Sequence, residues 1–341
     1  MTDLNPRIVD YISHHFGEEY LKLFKEFIQI NYFPYIRIPK RYTHLKIDEK
    51  LKKYHIKLEP VDNVPGAFIV KDGIHNIGKT LEFTVGKYYI QSLSSMIPPI
   101  VMNPTKEDVV LDLCASPGSK TSQIADYMGY RGTFYANESN LDRTKSLVHN
   151  LDRMGLSNLG VIMQKGQLLS KYFDSKFDKI LVDAPCSALG IVQKKGEVGQ
   201  RWSLSEAERI AEIQFKLLVS AIKMAKVGGE IFYSTCTLTL EENEVMLNRI
   251  LKNYPVELGD ITLPVKSVPG FTSFNGEKLN PSIEKSRRII PWEITSEGFF
   301  IAKLIKTGET EKNAPAVLRE ERFEIYPYDH HVVKHYLGGI A

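Results

Sequence analysis

Between residues 108 and 253 the chain alternates runs of β-forming residues with amphipathic stretches of helical period. The runs are DVVLDLC (108–114), TFYAN (133–137), LGVIM (159–163), DKILVDA (178–184) and GEIFYST (229–235). Between and after them fall SKTSQIADYMG, NLDRTKSLVHNLDRMG, SLSEAERIAEIQFKLLVSAIKMAK and LEENEVMLNRILKNY. Near-continuous Val/Ile/Leu strands joined by amphipathic helices imply a parallel sheet covered on both faces. The pattern predicts a Rossmann-like α/β fold, with GFFIAKLIK (298–306) as a late antiparallel strand.

The front of the chain reads differently. Residues 5–32 carry apolar side chains at helical spacing, with Asn5 able to cap and Pro6 in the first turn. PYIRIPKRY then reads as extended, IDEKLKKYHI as a helix and AFIVKDG as a strand. These elements suit a small α+β, RNA-binding type of domain over 1–80, ahead of an α/β catalytic domain over 81–306 and a tail over 307–341. Two units fit the length, because single cores stop growing near roughly 250–300 residues.

The chain holds three cysteines, Cys114, Cys186 and Cys236, and each stands at or just past the end of a predicted strand. Their spacing fits neither a disulfide framework nor a zinc pattern, so reduced, individually placed thiols are expected. Ligands of open α/β sheets bind beyond the carboxyl ends of the strands, which places all three thiols on one rim. No apolar run approaches the ~18 residues of a membrane span, and the first residues lack a secretory pattern. A cytoplasmic protein is the expectation. His331 and His335 are one helical turn apart but have no acidic or thiol partner, and they read as a solvated helix; His14 and His15 read as structural, so no metal is expected.

A net charge of +3 does not by itself announce nucleic-acid binding. Its distribution says more. Arg37, Lys40, Arg41, Lys46, Lys50, Lys52, Lys53 and Lys57 stand against Asp48 and Glu49 and are interleaved with Tyr42 and Tyr54. That stretch is a candidate phosphate-facing surface, with a solvated helix face as the alternative.

The first strand runs into CASPGSKT, so that Cys114, Ala115, Ser116, Pro117, Gly118, Ser119 and Lys120 form a turn feeding a helix N-terminus. Backbone N–H groups at such a turn approach a ligand closely and favour negative charge. Glu138 follows about 20 residues after the turn glycine, where an acidic side chain takes ribose hydroxyls, and Arg143 lies just beyond it. Together they point to a nucleoside-containing cofactor. The turn has neither GxGxxG nor GxxxxGK[ST], which argues against NAD and ATP. The fourth strand ends in DAPCS and the fifth in STC, so Asp183, Cys186 and Cys236 share a cleft with the cofactor turn. A thiolate is a strong nucleophile and a second group can manage protons; on this chemistry alone either thiol could attack.

DLCASPGSKT, DAPCS and YSTCTL with the following EENE resemble the signature segments of the RNA 5-methylcytosine methyltransferases, the NOP/NOL/SUN family. GKYYIQSLSSMIPP and SEGFFIAKL resemble further family segments, so the likeness covers about residues 80–306. The resemblance implies a class I S-adenosylmethionine-dependent methyltransferase acting on a cytosine in RNA. It implies that Cys236 attacks carbon 6 of the base, that Asp183 holds or protonates the ring, and that Cys186 is needed for release. Lys120 matches the motif lysine, expected to favour the thiolate or orient the base, and Cys114 is expected to pack beside the cofactor turn. Ribosomal RNA is the expected target because a compact N-terminal extension plus catalytic core resembles the bacterial ribosomal enzymes; transfer RNA is the alternative. Arg201 and Trp202 are further candidates for RNA contact, with packing as the other role for Trp202.

Three positions depart from the family pattern. Lys165, in QKGQ, replaces an acid expected near the adenine, leaving Gln164 or Gln167 as substitutes. Ala188, Leu189 and Gly190 follow DAPCS where a glycine usually comes first, and Lys194 and Lys195 stand where an arginine is expected. Two rival readings are a non-catalytic RNA-binding or ribosome-assembly factor and a methyltransferase for adenine or a small molecule. The retained thiols and Asp183 argue against the first; DAPC in place of Asn/Asp-Pro-Pro-Tyr argues against the second.

Overall fold

A computed structural model of the chain describes residues 4–311. The stretch of helical spacing over 5–32 forms helices α1 (Pro6–Phe16) and α2 (Glu18–Gln29). The break is at Gly17, whose φ of 87° ends α1 while its N–H donates to the Ser13 carbonyl. Their apolar faces pack over Leu189, Val192, Trp202, Leu238 and Leu240, in the loops that follow the two strands ending in DAPCS and STC. Phe24 and Ile8 are almost wholly buried there, each such side chain contributing about 2 kcal/mol.

A four-stranded antiparallel sheet follows, ordered β2 (Lys57–Pro60), β3 (Ala67–Asp72), β1 (Tyr35–Arg37) and β4 (Tyr89–Ile90). Its last strand comes from beyond residue 80, pairing Ile36 with Ile90. The expected helix over IDEKLKKYHI forms only over Ile47–Leu51 and tightens into a 3-10 turn at Lys52–Tyr54.

Helix α3 (Leu93–Met102) leads into the large sheet, whose parallel strands are β5 (Val109–Asp112), β6 (Thr133–Asn137), β7 (Gly160–Ile162), β8 (Phe177–Asp183) and β9 (Ala225–Thr235). Helices α4 (Ser119–Tyr127), α5 (Leu141–Arg153) and α6 (Leu204–Met224) connect them, and α7 (Glu244–Asn253) follows β9. Strands β10 (Val256–Gly259), β11 (Val268–Pro269), β12 (Arg287–Ile289) and β13 (Phe299–Lys306) extend the sheet in the antiparallel sense. The nine strands run β11-β12-β13-β9-β8-β5-β6-β7, with β10 also on β13, which is the Rossmann-like sheet with a late antiparallel strand that the sequence predicts. One core cluster centres on Ile180, Val182, Ile231 and Tyr233 against α6 and α7; a second centres on Val110, Ile124, Phe134 and Leu147.

β8 and β9 pair with Asp183 opposite Ser234, so both strands end at one level and their following loops leave side by side. The segment after β9 is anchored from behind. Arg288 is buried among Phe16, Phe271 and Phe300, forks onto Glu244 with Nε 2.6 Å from Oε1, and donates from Nη1 to the Leu238 carbonyl at 2.9 Å. Breaking a buried ion pair from one side leaves the other charge uncompensated. Glu244→Ala or Arg288→Ala is therefore expected to cost about 3–5 kcal/mol in urea unfolding, whereas replacing both with apolar residues of similar volume costs much less. Equal losses for the single and double variants would contradict this.

Candidate active site

The parallel ends of β5, β8 and β9 open onto one cavity of about 260 Å³, lined by the cofactor turn, Asp183, Cys236 and residues from β4, α3 and β13. Cys186 and Cys236 meet with their sulfurs 3.2 Å apart. The contact with the Cys236 thiol, then burial, push the Cys186 thiol well above its ordinary range. Cys114 also lines the cavity, and burial raises its thiol strongly, which suits the packing role expected of it.

Asp183 is held from two sides. Its Oδ2 accepts from Lys120 Nζ at 2.7 Å and its Oδ1 from Ser234 Oγ at 2.8 Å. Lys120, on the first turn of α4, is only 7% exposed, donates also to Ser95 Oγ at 2.7 Å and lies over the Phe299 ring. It is thus a cavity residue rather than a surface lysine. Ser95, Phe299, Lys194 and Glu297 line the same space and were not singled out from the sequence as site residues; Glu297 links Ser92 Oγ at 2.6 Å to Lys194 Nζ at 2.9 Å. Ser95 and Glu297 sit inside segments that carry the family likeness, the one signal that could have found them.

The cofactor turn has the shape expected of it. Gly118 takes φ 102° and opens α4, and a β-carbon at Gly118 would press on the Leu147 side chain at 3.1 Å. Ala115, Ser116, Pro117 and Ser119 line the cavity, whereas Gly118, Glu138 and Arg143 stand outside its lining. Glu138 is buried at the end of β6, accepting from the Asn140 N–H at 2.9 Å and facing Arg143 Nη2 at 3.3 Å; Arg143 donates on to the Ser116 carbonyl at 3.1 Å. Gln164 turns back to accept from the Lys165 N–H at 2.8 Å. Asp112 was also missed. It lines the cavity with Oδ2 accepting from Thr121 Oγ1 at 2.7 Å, while Oδ1 is buried and unpartnered. A buried acceptor lacking a donor fits a ligand that brings one. With the unpartnered Asp112 oxygen for an ammonium and the Ser116–Ser119 turn for a carboxylate, these groups fit S-adenosylmethionine, while Glu138, expected on the ribose, is engaged by Asn140 and Arg143 outside the lining.

The expectation for two cations of the basic stretch needs correction, and Trp202 takes the second of its two expected roles. Arg37 is buried, its Nε on Gln91 Oε1 at 2.9 Å and its Nη2 on Ser122 Oγ at 2.7 Å, so it belongs to the fold and not to a phosphate-facing surface. Arg41 is likewise occupied, over the Tyr42 and Tyr130 rings and bonded to the Met154 carbonyl. Lys40, Lys46, Lys50, Lys52, Lys53 and Lys57 are exposed. Trp202 is buried and donates from Nε1 to Ser187 Oγ at 3.1 Å, so its role is packing and not RNA contact; Arg201 is exposed. His15 stacks on Phe274, in keeping with its structural reading. His331 and His335 lie outside the described residues. Among the described residues no cluster could hold a metal ion, and no helix is long and apolar enough to cross a membrane.

The fold and its likeness to known methyltransferases define an S-adenosylmethionine-dependent methyltransferase, and a thiol pair stands beside its cavity. Residues 99–305 match the family model described as 16S rRNA methyltransferase RsmB/F, and the chain belongs to that family. It is 35% identical to a tRNA (cytosine(49)-C(5))-methyltransferase of Pyrococcus abyssi over 80% of this chain and 88% of that protein. It is 37% identical to a ribosomal RNA small subunit methyltransferase F of Shewanella loihica, over 80% of this chain but 56% of that longer protein. The crystal structure of a methyltransferase homologue from Pyrococcus horikoshii superposes with a TM-score of 0.78 at 29% identity, covering 89% of this chain and 96% of the other.

Burial holds the Asp112 carboxyl up to about 7. A carboxyl protonated in the fold and ionised in the unfolded chain contributes stability that is full below its unfolded pKa of about 4. That contribution is lost as pH rises through the folded value. Without cofactor, Asp112→Asn is therefore expected to lose less stability than wild type between pH 5 and 8, by up to about 3 kcal/mol in denaturant titrations. Equal losses would place Asp112 among ordinary carboxylates.

Proposed function

We propose that the protein methylates carbon 5 of a cytosine in RNA, with Cys236 as nucleophile and Cys186 as the group that releases the product. The observation that carries this reading is the thiol pair, 3.2 Å between sulfurs, standing at the end of a cavity that also holds the Lys120–Asp183 ion pair. Carbon 5 of cytosine is a weak nucleophile. It gains electron density when a thiolate adds to carbon 6. The contact with Cys236 and burial keep the Cys186 thiol protonated, which suits a releasing group better than an attacking thiolate. Cys236 also lines the cavity itself.

S-adenosylmethionine supplies an electrophilic methyl group to carbon 5. The chain's own residues do the rest. Asp183, fixed by Lys120 and Ser234, meets nitrogen 3 as that nitrogen takes up a proton passed from the Lys120 ammonium through the carboxylate, which neutralises the negative charge that the addition pushes into the ring. Cys186 reaches the same edge of the base as Cys236 and assists the release. The carbon 5 proton passes to water, its electron pair re-forms the carbon 5–carbon 6 double bond, and Cys236 leaves carbon 6 as a thiolate.

Ribosomal RNA as target is in keeping with the description of the family model. A second reading, transfer RNA, is favoured by the Pyrococcus abyssi relative, which matches along most of both chains. The exposed lysines at 40, 46, 50, 52, 53 and 57 suit the phosphate backbone of either, with affinity that falls as salt rises.

Cys186→Ala, incubated with RNA and S-adenosylmethionine, is expected to accumulate a covalent RNA adduct on a denaturing gel. Cys236→Ala is expected to form none and to lose at least about 10³-fold in turnover. Separating total RNA into ribosomal and transfer fractions beforehand assigns the target. Normal methylation by Cys236→Ala would overturn the role given to that thiol.

A further inference from the structure

Glu242 lies outside the cavity lining, yet it is fully buried behind the thiols. Among the described residues no cation pairs with it. A buried carboxylate without a counter-charge persists only when its oxygens are met by donors. Oε1 accepts from the Ser187 N–H at 2.8 Å and from Gln214 Nε2 at 2.9 Å. Oε2 accepts from the hydroxyls of Ser187 and Thr239.

Of those donors Ser187 and Thr239 belong to the two thiol-bearing loops, and Gln214 stands on α6. Ser187 follows Cys186 directly, and Gln214 Nε2 also donates to the carbonyl of Pro185, which precedes it, at 2.8 Å. Ser187 Oγ stands 2.9 Å from the hydroxyl of Thr237, the residue after Cys236, and Thr237 is in turn 3.0 Å from Thr239. Glu242 therefore holds Cys186 directly through Ser187 and, by way of Gln214, through Pro185, and it holds Cys236 by way of Ser187 and Thr239, both of which meet Thr237. The Glu242 charge also adds, after the Cys236 contact and burial, to what keeps Cys186 protonated.

We propose that Glu242 is the positioning residue of the thiol pair, holding the DAPCS and STCT loops so that the two sulfurs act on one base. The catalytic part of this inference rests on the roles given to Cys236 and Cys186 above; the geometric part does not.

The test reads the geometry directly in the full chain, without RNA or cofactor. The azo compound diamide oxidises two neighbouring thiols to a disulfide, its N=N bond taking up the two hydrogens. The Cys186–Cys236 cross-linked peptide is then followed by mass spectrometry over time. Glu242→Gln keeps the shape but turns one acceptor into a donor, and Ser187→Ala keeps Glu242 but removes the hydroxyl that ties it directly to the loop after Cys186 and, from there, to Thr237. Both are expected to stay folded by circular dichroism and to close the disulfide about fivefold or more slowly than wild type, with turnover about tenfold lower and KM for RNA within about twofold. Wild-type closure rates in the folded variants would overturn the proposal; should Glu242→Gln fail to fold, Ser187→Ala decides. Slow closure together with no adduct from Cys186→Ala would leave the positioning role standing and remove the catalytic roles. Fast closure together with an adduct would do the reverse.

Discussion

The site depends on the register of two parallel strands. β8 and β9 pair with Asp183 opposite Ser234, and the Ala184 N–H continues the ladder onto the Ser234 carbonyl at 3.0 Å. Side chains alternate along a strand, so a slip of one residue would turn Asp183 and Ser234 to the opposite face and separate the thiols that follow. The flanking strands fix the same register, β5 through Asp112 opposite Leu181 and β13 through Ile301 opposite Ser234. Gly190 closes the arrangement: its N–H donates to the Cys236 carbonyl at 3.0 Å and its carbonyl accepts from the Gly298 N–H at 2.9 Å. A β-carbon at Gly190 would sit 2.3 Å from the Gly298 oxygen, so only glycine fits there.

On that frame the site arranges charge in two different ways. The Lys120–Asp183 pair faces the cavity, where a charged residue can meet a developing charge. Asp112 and Glu242 are instead buried without a counter-charge, and burial raises both carboxyls. Asp112, which lines the cavity, keeps one oxygen unpartnered, whereas Glu242 meets four donors from the two loops and α6. Two acids of similar burial thus do different work because one is satisfied internally and the other is not.

Much of this was legible in the sequence, since hydrophobic period and turn chemistry are local. The five parallel strands, the four helices that follow them and the late antiparallel strand all form where the pattern places them, to within a few residues. Asp183, Cys186, Cys236 and Lys120 could be placed on one rim because strand ends in a parallel sheet share a side. What could not be read is burial decided by distant segments. Arg37 looks like one more cation in a basic stretch, yet its partners Gln91 and Ser122 come from 54 and 85 residues away. Trp202 becomes packing only because α1 and α2 close over it, and the break at Gly17 that lets them do so competes with an otherwise continuous helical period. Glu242 is a letter in EENE until Ser187 is brought across 55 residues to meet it.

The central claim is that a methyl group replaces the hydrogen on carbon 5 of cytosine after addition at carbon 6. RNA carrying tritium at carbon 5 of its cytosines, with methyl-labelled S-adenosylmethionine, tests it in a single reaction. Each methyl group incorporated is predicted to release one tritium to water. Methyl incorporation without tritium release would place the methyl elsewhere and contradict the account.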